Sequence, residues 1–170
     1  MVISFIKNII ALVGLFILQV TILNKIGVST YVFPYVYILF LFALPKKLPL
    51  WLNLITAFTL GLSIDIFNNT FGIHALACTT MIFFKPLLLN SLLPQDLEDE
   101  NLQANVHNLG VKKYLIYATV LTLIHHFLVF NLEVFSIFNI FETLLKIITS
   151  SGISLFLILI LQYIFIKKTL

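Results

Sequence analysis

The side chains that could do chemistry in this chain are few, and the most unusual of them is Asp65. It is the one acid embedded in a long apolar run, the stretch from Thr59 to Phe67. An aspartate at the centre of a bilayer costs about 2.5–3.5 kcal/mol to insert, and the dipole near the end of its own helix disfavours an anion. We therefore interpret Asp65 as a buried polar node within the bundle or as a contact to a partner or ligand. The alternative is an interfacial acid that the turn 68–70 satisfies.

Three of the four histidines lie at or inside apolar runs, where they could bind a metal or move a proton. His74 opens a run just after Asp65 and could pair with that acid across the intervening turn. His125 and His126 are neighbours, so on a helix they point about 100° apart and cannot easily share one metal. A zinc site favours i, i+4 spacing with carboxylate or cysteine partners, and Glu133 is a poor partner. We predict no metal site, and we expect one histidine of the pair to hydrogen-bond to a neighbouring helix.

The other unusual residues of the apolar runs have structural interpretations. Lys85 can extend its ammonium to the cytoplasmic interface, and Pro86 can kink its helix or mark its exit. Cys78 is the single cysteine, so it cannot form an internal disulfide, and we expect it to pack as a small hydrophobe. Gly61 and Gly72 allow two helices to approach closely or the chain to turn tightly, and packing is the interpretation that we favour.

The sequence contains no familiar catalytic pattern. It has no GxSxG, no HExxH and no glycine-rich phosphate loop. Its acids and histidines are too few and too scattered to indicate general acid–base chemistry. We predict a protein that is not an enzyme, with no catalytic residue, no metal and no cofactor.

The composition places these residues in a membrane protein. Of the 170 residues, 61% are hydrophobic and 10% are charged, and the mean hydropathy is +1.10. Soluble domains are about 25% charged, so a soluble fold of this length could not bury so much apolar surface. The net charge of +3 comes from ten lysines, with no arginine. Proteins that recognise nucleic acids usually rely on the planar guanidinium group of arginine, so we predict no nucleic-acid partner. Lysines that flank membrane spans explain the positive charge better, and we predict a lipid bilayer as the environment.

Six apolar runs organise the chain into one polytopic domain over 1–170. They cover residues 2–23, 31–44, 50–67, 71–93, 113–132 and 143–166. Continuous apolar residues favour helices over the alternating strands of a membrane barrel. The predicted fold class is an all-α integral membrane protein, a bundle of six transmembrane helices or of five with one re-entrant segment. The second run leaves this choice open, because as a helix it would span about 21 Å of a hydrocarbon core of about 30 Å.

The lysines set the expected orientation, because cytoplasmic loops carry an excess of positive charge. With six spans and a cytoplasmic N-terminus, only Lys25 and Lys146 of the ten lysines lie outside. A chain with five spans and an external N-terminus leaves equally few lysines outside. The rule therefore predicts a cytoplasmic C-terminus without deciding the first two segments, for which we favour six spans and a cytoplasmic N-terminus.

The longest connection, 94–112, is an acidic loop that this topology puts in the cytoplasm. Between 94 and 105 it carries four acids and no base. Apolar residues recur from Leu93 to Leu109 with roughly helical spacing, which favours a short amphipathic piece. The acids form either a solvated face or a docking site for a partner.

The stretch 58–76 resembles the central motif of a known membrane family. In that motif one helix ends in G-x-x-x-D, a short polar turn follows, and G-x-x-A opens the next helix. The motif positions are occupied here by Gly61, Asp65, Gly72, His74 and Ala75. Together with the length, the six short apolar runs and the basic C-terminus, this pattern is similar to the rod shape-determining protein MreD family.

The resemblance implies a non-enzymatic, multi-pass component of the bacterial inner (cytoplasmic) membrane that belongs to the cell-elongation machinery. It implies that the protein maintains rod cell shape by scaffolding or regulating peptidoglycan synthesis with the bitopic protein MreC. Through MreC it would act with MreB filaments, RodA and a class B penicillin-binding protein, and the five motif residues would be an interaction node. A homo-oligomer is a further assembly to consider. The family is also similar in fold to the substrate-binding subunits of energy-coupling-factor transporters.

Two other functions remain open. The first is a vitamin-binding subunit of an energy-coupling-factor transporter. Such subunits present an A-x-x-x-A stripe on the first helix, whereas this chain has only Ala11 and Gly14 there. The second is an intramembrane enzyme or proton-coupled carrier that uses Asp65, His74 and His125. It requires these three side chains to converge on one cavity.

Overall fold

Long apolar helices form the framework of the protein in a computed structural model, which describes residues 10, 12–25, 31–93, 102–134 and 140–165. Among these residues, four helices are long and apolar enough to cross a membrane. They are α3 (Leu50–Asn68), α4 (Ile73–Leu92), α6 (Val111–Val134) and α7 (Ile140–Phe165). The prediction of a helical protein with several helices able to span a membrane is confirmed at this level.

Three shorter helices complete the described part of the chain. They are α1 (Leu12–Leu23), α2 (Ile38–Phe42) and α5 (Val106–Leu109). The second half of α1, Leu18–Leu23, is a π-helix. Such wide turns are rare and frequently occur at functional sites. Here the turn carries Gln19, a fully buried polar residue.

The distribution of side chains differs from that in a soluble protein, because many large apolar side chains are exposed and several polar ones are buried. Large apolar residues such as Phe58, Ile66 and Leu87 are exposed, whereas His125 and Ser154 are completely buried. In water this arrangement would expose apolar surface at great cost. In lipid it puts the apolar side chains in contact with acyl chains and the polar side chains where they can bond to one another.

Neighbouring helices pack in sequence order. Helix α3 packs along α4, α4 along α6, and α6 along α7. The turn between α3 and α4 takes only four residues, with Asn69 and Gly72 both in the left-handed region at φ 54° and 80°. The two long helices are therefore antiparallel neighbours.

The bundle has two ends with different charge. The lysine end contains the starts of α3 and α6, the end of α4 and the 45–49 connection, where the Lys46 N–H bonds to the carbonyl of Leu102 at 3.0 Å. The opposite turn end contains the α3–α4 turn, where Asn24 bonds to Asn68 at 2.6 Å. The lysines at the lysine end are Lys46, Lys47, Lys85, Lys112 and Lys113. The described lysines near the turn end are Lys25 and Lys146.

The segment 31–44 differs from the expected helix. Only Ile38–Phe42 is helical. The N–H groups of Phe33 and Tyr35 bond to Ser150 and Ser154 of α7 at 3.0 and 2.9 Å. Serines four apart on a helix are separated by about 6 Å, and residues two apart match that distance only when the backbone is extended. The expectation of a helix across 31–44 is therefore wrong for its first half.

An extended first half changes the reach of this segment. It covers about 3.3 Å per residue instead of the 1.5 Å of a helix. The carbonyl of Tyr31 accepts a bond from Thr149 at 2.6 Å, towards the turn end. The carbonyl of Leu44 accepts one from Lys85 at 2.8 Å, at the lysine end. The segment thus runs between the two ends of the bundle.

The described part of the acidic loop folds against the lysine end. Asn105 accepts a hydrogen bond from the N–H of Asn108 at 2.8 Å and begins α5, in which Val106 and Leu109 are buried. The Val106 N–H also donates to Gln162 of α7 at 3.3 Å. Of the amphipathic piece expected between Leu93 and Leu109, the described residues contain one helical turn, Val106–Leu109. The four acids of the loop lie outside the described residues.

Candidate functional site

Asp65 caps the helix that follows it in the chain. One carboxylate oxygen accepts bonds from the Thr70 hydroxyl and from the N–H of His74 at 3.0 Å. The other accepts from the N–H of Ala75 at 2.9 Å. The first N–H groups of a helix lack partners and carry positive potential. The carboxylate is therefore stabilised by α4, although its position at the end of α3 is unfavourable.

Gly61 allows α4 to come close enough for that cap. A Cβ atom at this position would lie 2.5 Å from the carbonyl oxygen of His74 and 2.6 Å from the Cα of Ala75. Both neighbours are backbone atoms, which cannot rotate away. Gly61 thus has the packing role that we favoured, and Gly72 has the turn role, with its φ of 80°.

The five motif residues form one unit around the α3–α4 turn. Gly61 and Asp65 face the first turn of α4 from α3, and Gly72, His74 and Ala75 belong to that turn of the chain. The imidazole of His74 does not pair with Asp65, as the sequence suggested it could. Only its backbone N–H does, and this leaves the ring free to bond elsewhere.

The rings of His74 and His125 share one hydroxyl. The Tyr37 hydroxyl lies 3.0 Å from Nδ1 of His74 and 2.7 Å from Nε2 of His125. The thiol of Cys78 also donates to it, at 3.6 Å. All four residues are fully buried. Helices α4 and α6 and the segment 31–44 therefore meet at this hydroxyl.

The hydrogen bonds around Tyr37 have one consistent direction when both histidines are neutral. Because Asn68 accepts from Asn24, its amide nitrogen must be the group that donates to Nε2 of His74, at 3.2 Å. His74 then carries its proton on Nδ1 and donates to Tyr37. The Tyr37 hydroxyl in turn donates to Nε2 of His125. His125 is left with an N–H at Nδ1, which has no partner among the described residues.

His126 bonds to a different helix from His125. Its Nε2 lies 3.1 Å from the Ser154 hydroxyl on α7, and its Nδ1 lies 2.9 Å from the carbonyl of Thr122. We expected one histidine of the pair to bond across helices, and both do. The ring of Tyr35 contacts both, with centroids 5.7 Å from His125 and 5.3 Å from His126.

Polar side chains hold the extended backbone of 31–37 inside the bundle. In lipid, non-helical backbone is tolerated only where protein groups satisfy it. Gln19 donates to the carbonyl of Pro34 at 2.9 Å and accepts from the N–H of Val36 at 2.9 Å. With Thr149, Ser150 and Ser154 of α7 described above, four side chains replace hydrogen bonds that a helix would make internally.

Lys85 satisfies the end of α2. Its ammonium is buried, with 4% of the residue exposed, and it donates to the carbonyls of Leu41 and Leu44 at 3.0 and 2.8 Å. The Tyr117 hydroxyl donates to the carbonyl between them, that of Phe42, at 3.0 Å. We expected Lys85 to reach the aqueous interface, and that is wrong. The last carbonyls of α2 lie inside the bundle, where they favour a cation. Pro86 lies within α4 and does not mark its exit.

Sequence patterns alone pointed to some of these residues and missed others. The apolar context of Asp65, His74 and His125 singled them out, whereas Tyr37, Gln19 and Ser154 looked like ordinary residues of apolar runs. A polar residue inside a predicted span is a usable signal. Gln19 in the first run therefore offered one that was passed over.

The site holds protein groups together and has few features of a metal or catalytic centre. The described residues contain no group of three or more histidine, cysteine or acidic side chains that could hold a metal. His74 and His125 converge, whereas Asp65 is engaged with backbone amides. What the arrangement does chemically is to satisfy backbone groups and join helices through hydrogen bonds.

Fold and site together describe a helical protein with four helices able to cross a membrane and a cluster of polar side chains buried among apolar ones. Comparisons of the chain with protein-family profiles, with curated proteins and with solved structures each found no match.

Proposed function

We propose that this chain is a non-enzymatic, MreD-like component of the bacterial inner membrane that scaffolds the cell-elongation machinery together with MreC. The observation that supports the proposal is the unit formed by the five motif residues, in which Asp65 caps α4 and Gly61 admits it. The resemblance to the family lies in these residues. The structure gives a physical reason for the residue type at Gly61, Asp65 and Gly72: a close helix approach, a carboxylate cap and a left-handed turn.

A rigid α3–α4 pair is suited to a scaffold. The buried groups of Asp65 and Tyr37 are satisfied by protein groups, and they fix the helices relative to one another. The outer faces of the same helices are apolar and exposed, with Ile66 69% and Leu76 51% accessible. A bitopic partner would pack its single helix against such a face, and MreB, RodA and the penicillin-binding protein would be reached through MreC.

The topology that we propose has six crossings, of which the second is the segment 31–44. Its contacts reach from Thr149 to Lys85. The segment therefore makes a crossing for which the sequence predicted a full helix. Both termini are then cytoplasmic, since the lysine end carries more of the described lysines and positive charge favours the cytoplasm.

The scaffold proposal is tested by co-purification with crosslinking and mass spectrometry. The full chain is expressed with the MreC of the same genome. Asp65→Ala and Asp65→Leu are compared with Ile148→Ala, which removes an exposed side chain on α7, away from the α3–α4 pair. We expect crosslinks to MreC from the native chain, and lower protein level and lower MreC recovery for both Asp65 variants only. Unchanged level and recovery would show that Asp65 is not a node.

Loss of rod shape in cells depleted of this chain is the second readout. Rounded cells that recover on expression of the native chain would support the proposal. Normal rods after depletion, with no crosslink to MreC, would contradict it. A vitamin retained at about one per chain after purification would instead support the transporter subunit.

A second candidate function is a proton-coupled carrier, and the hydroxyl shared by His74 and His125 favours it. Two of the three side chains that it requires meet at Tyr37. Proton flux into liposomes containing the purified chain tests the carrier function. The variant Tyr37→Phe removes the hydroxyl that joins the two imidazole rings. Flux that Tyr37→Phe abolishes would support the carrier, and no flux above empty liposomes would contradict it.

A further inference from the structure

A cavity of about 230 Å³ opens at the lysine end and is separate from the Tyr37 cluster. Its polar lining comes from Lys46, Asn53, Lys85 and Asn90, and among the described residues that line it none is acidic. Pockets that hold drug-sized ligands are about 300 Å³ or larger. This cavity is therefore suited to a smaller polar group.

Lys85 supplies the first argument for an anion in the cavity. An ammonium has three donors, and two of those of Lys85 are used by the carbonyls of Leu41 and Leu44. One N–H remains, and no described residue pairs the charge with a carboxylate. A buried charge that only dipoles compensate is costly, so an anion beside it would be stabilised.

The start of α3 supplies a second argument. The N-cap of this helix is Pro49, whose side chain makes no capping bond. The N–H groups of Leu50 and Trp51 therefore lack a helical partner, and Leu50 lines the cavity. The positive end of a 19-residue helix thus lies beside the cavity that the two lysines line.

Asn53 supplies a third argument and narrows the ligand. Its amide nitrogen donates to the carbonyl of Leu48 at 3.1 Å, which leaves Oδ1 buried and without a partner in the described residues. An unpaired buried acceptor costs about 1–3 kcal/mol. A ligand that carries a hydrogen-bond donor next to its negative charge would satisfy both Asn53 and the cations.

We infer that this cavity binds the phosphate headgroup of an anionic phospholipid that carries a hydroxyl donor, the chemistry of phosphatidylglycerol. The phosphate lies against Lys46, Lys85 and the start of α3, and a glycerol hydroxyl donates to Asn53. A lipid source fits the position of the cavity at one end of helices that are long and apolar enough to cross a membrane. Trp51, 62% exposed, begins α3 beside it, and tryptophan is enriched at headgroup level. The acyl chains remain outside, along exposed residues such as Leu87.

Lipid titration of the purified full chain, followed by native mass spectrometry, tests this inference. The probes are phosphatidylglycerol, phosphatidylcholine with the same acyl chains, and soluble glycerol 3-phosphate. The key pair of variants is Lys46→Gln and Lys47→Gln, which change the net charge equally. Lys46 lines the cavity and Lys47, its exposed neighbour, does not. Neither side chain is buried, so both variants should fold.

We expect one phosphatidylglycerol to bind per chain in preference to phosphatidylcholine, with glycerol 3-phosphate binding more weakly. Lys46→Gln should weaken binding about fivefold, Asn53→Ala should also weaken it, and Lys47→Gln should leave it unchanged. Equal losses in the two lysine variants would indicate unspecific surface attraction and overturn the site. Absence of a retained lipid would overturn it too, and glycerol 3-phosphate binding as tightly as lipid would overturn the lipid source. None of these outcomes depends on MreC.

Discussion

At the scale of single residues, Gly61 is a position with no space for a larger side chain. A methyl group there would meet the backbone of His74 and Ala75 at 2.5–2.6 Å. Gly61→Ala should therefore force α3 and α4 apart, loosening the Asp65 cap as well. We expect a loss of stability above the about 1–3 kcal/mol typical of overpacking, measured as thermal unfolding in detergent.

Gly152→Ala is the matched control for this change. Gly152 lies inside α7, and a Cβ atom there would have no neighbour within 4 Å. Alanine is favoured over glycine inside a helix by about 1 kcal/mol, so this variant should be neutral or slightly more stable. Equal destabilisation by both variants would show that the close approach at Gly61 is unimportant.

Tyr37 holds two imidazoles through one oxygen, so its hydroxyl should matter more than a typical one. Tyr37→Phe leaves His74 and His125 each with an unpaired nitrogen in a buried site. Each orphaned group costs about 1–3 kcal/mol, and we expect unfolding at a clearly lower temperature. Tyr163→Phe, in which the altered ring is 61% exposed, is the control. Similar stability of both variants would contradict the arrangement at Tyr37.

The residues of the α3–α4 turn were predictable in type and only partly in role. Asp65 was recognisable because an acid in an apolar run is unfavourable unless other groups stabilise it. The groups that stabilise it are the N–H groups of His74 and Ala75, which belong to another helix. The pattern along one helix cannot show a contact with another. The position of Lys85 at the aqueous interface was predicted wrongly for the same reason. The carbonyls that it satisfies are about forty positions away in the chain.

At the scale of elements, the extended half of 31–44 depends on α7. Ser154 bonds to the N–H of Tyr35 at 2.9 Å and to the ring of His126 at 3.1 Å. Ser154→Ala therefore orphans a backbone donor and should lower the free energy of unfolding by about 1–3 kcal/mol. Hydrogen exchange at Tyr35 should also become faster, because this N–H loses its partner.

Ser63→Ala is the control for the serine prediction. The Ser63 hydroxyl bonds to the carbonyl of Thr59 within its own helix, and that carbonyl keeps its place in the helix when the hydroxyl is removed. We expect almost no change in stability. A result in which Ser63→Ala is as damaging as Ser154→Ala would mean that the α7 contact does not hold the segment.

The long helices were predictable because their apolar runs are continuous and of bilayer length. The segment 31–44 was not, since apolar content reports burial and not backbone conformation. Its shortness was a real signal, and the extended conformation resolves it by giving each residue more than twice the reach of a helical one. The supporting groups on α1 and α7 come from distant parts of the chain, beyond the range of local patterns.

At the scale of the whole molecule, the position of Lys25 distinguishes the two topologies. Next to it, Asn24 bonds to Asn68 at the turn end, opposite to the lysine end. In a six-crossing chain Lys25 is external, and in the five-span alternative it is cytoplasmic. The variant Lys25→Cys should react with an impermeant thiol reagent added outside intact cells.

Lys47→Cys is the control for labelling, and we expect the opposite result for it. It should react only after the cells are opened, because the topology that we propose puts the lysine end in the cytoplasm. The native Cys78 is buried and should contribute no background. Labelling of Lys25→Cys only in opened cells would contradict the crossing of the segment 31–44.

The dependence of this segment on α7 has a consequence for biosynthesis. The chain emerges from the ribosome in order, and the partners of Phe33 and Tyr35 are Ser150 and Ser154, which are made more than a hundred residues later. Until then these amides have no acceptor inside lipid. In the topology that we propose, the segment 31–44 must therefore wait in a hydrated or chaperoned place and take its final position only when translation is nearly complete.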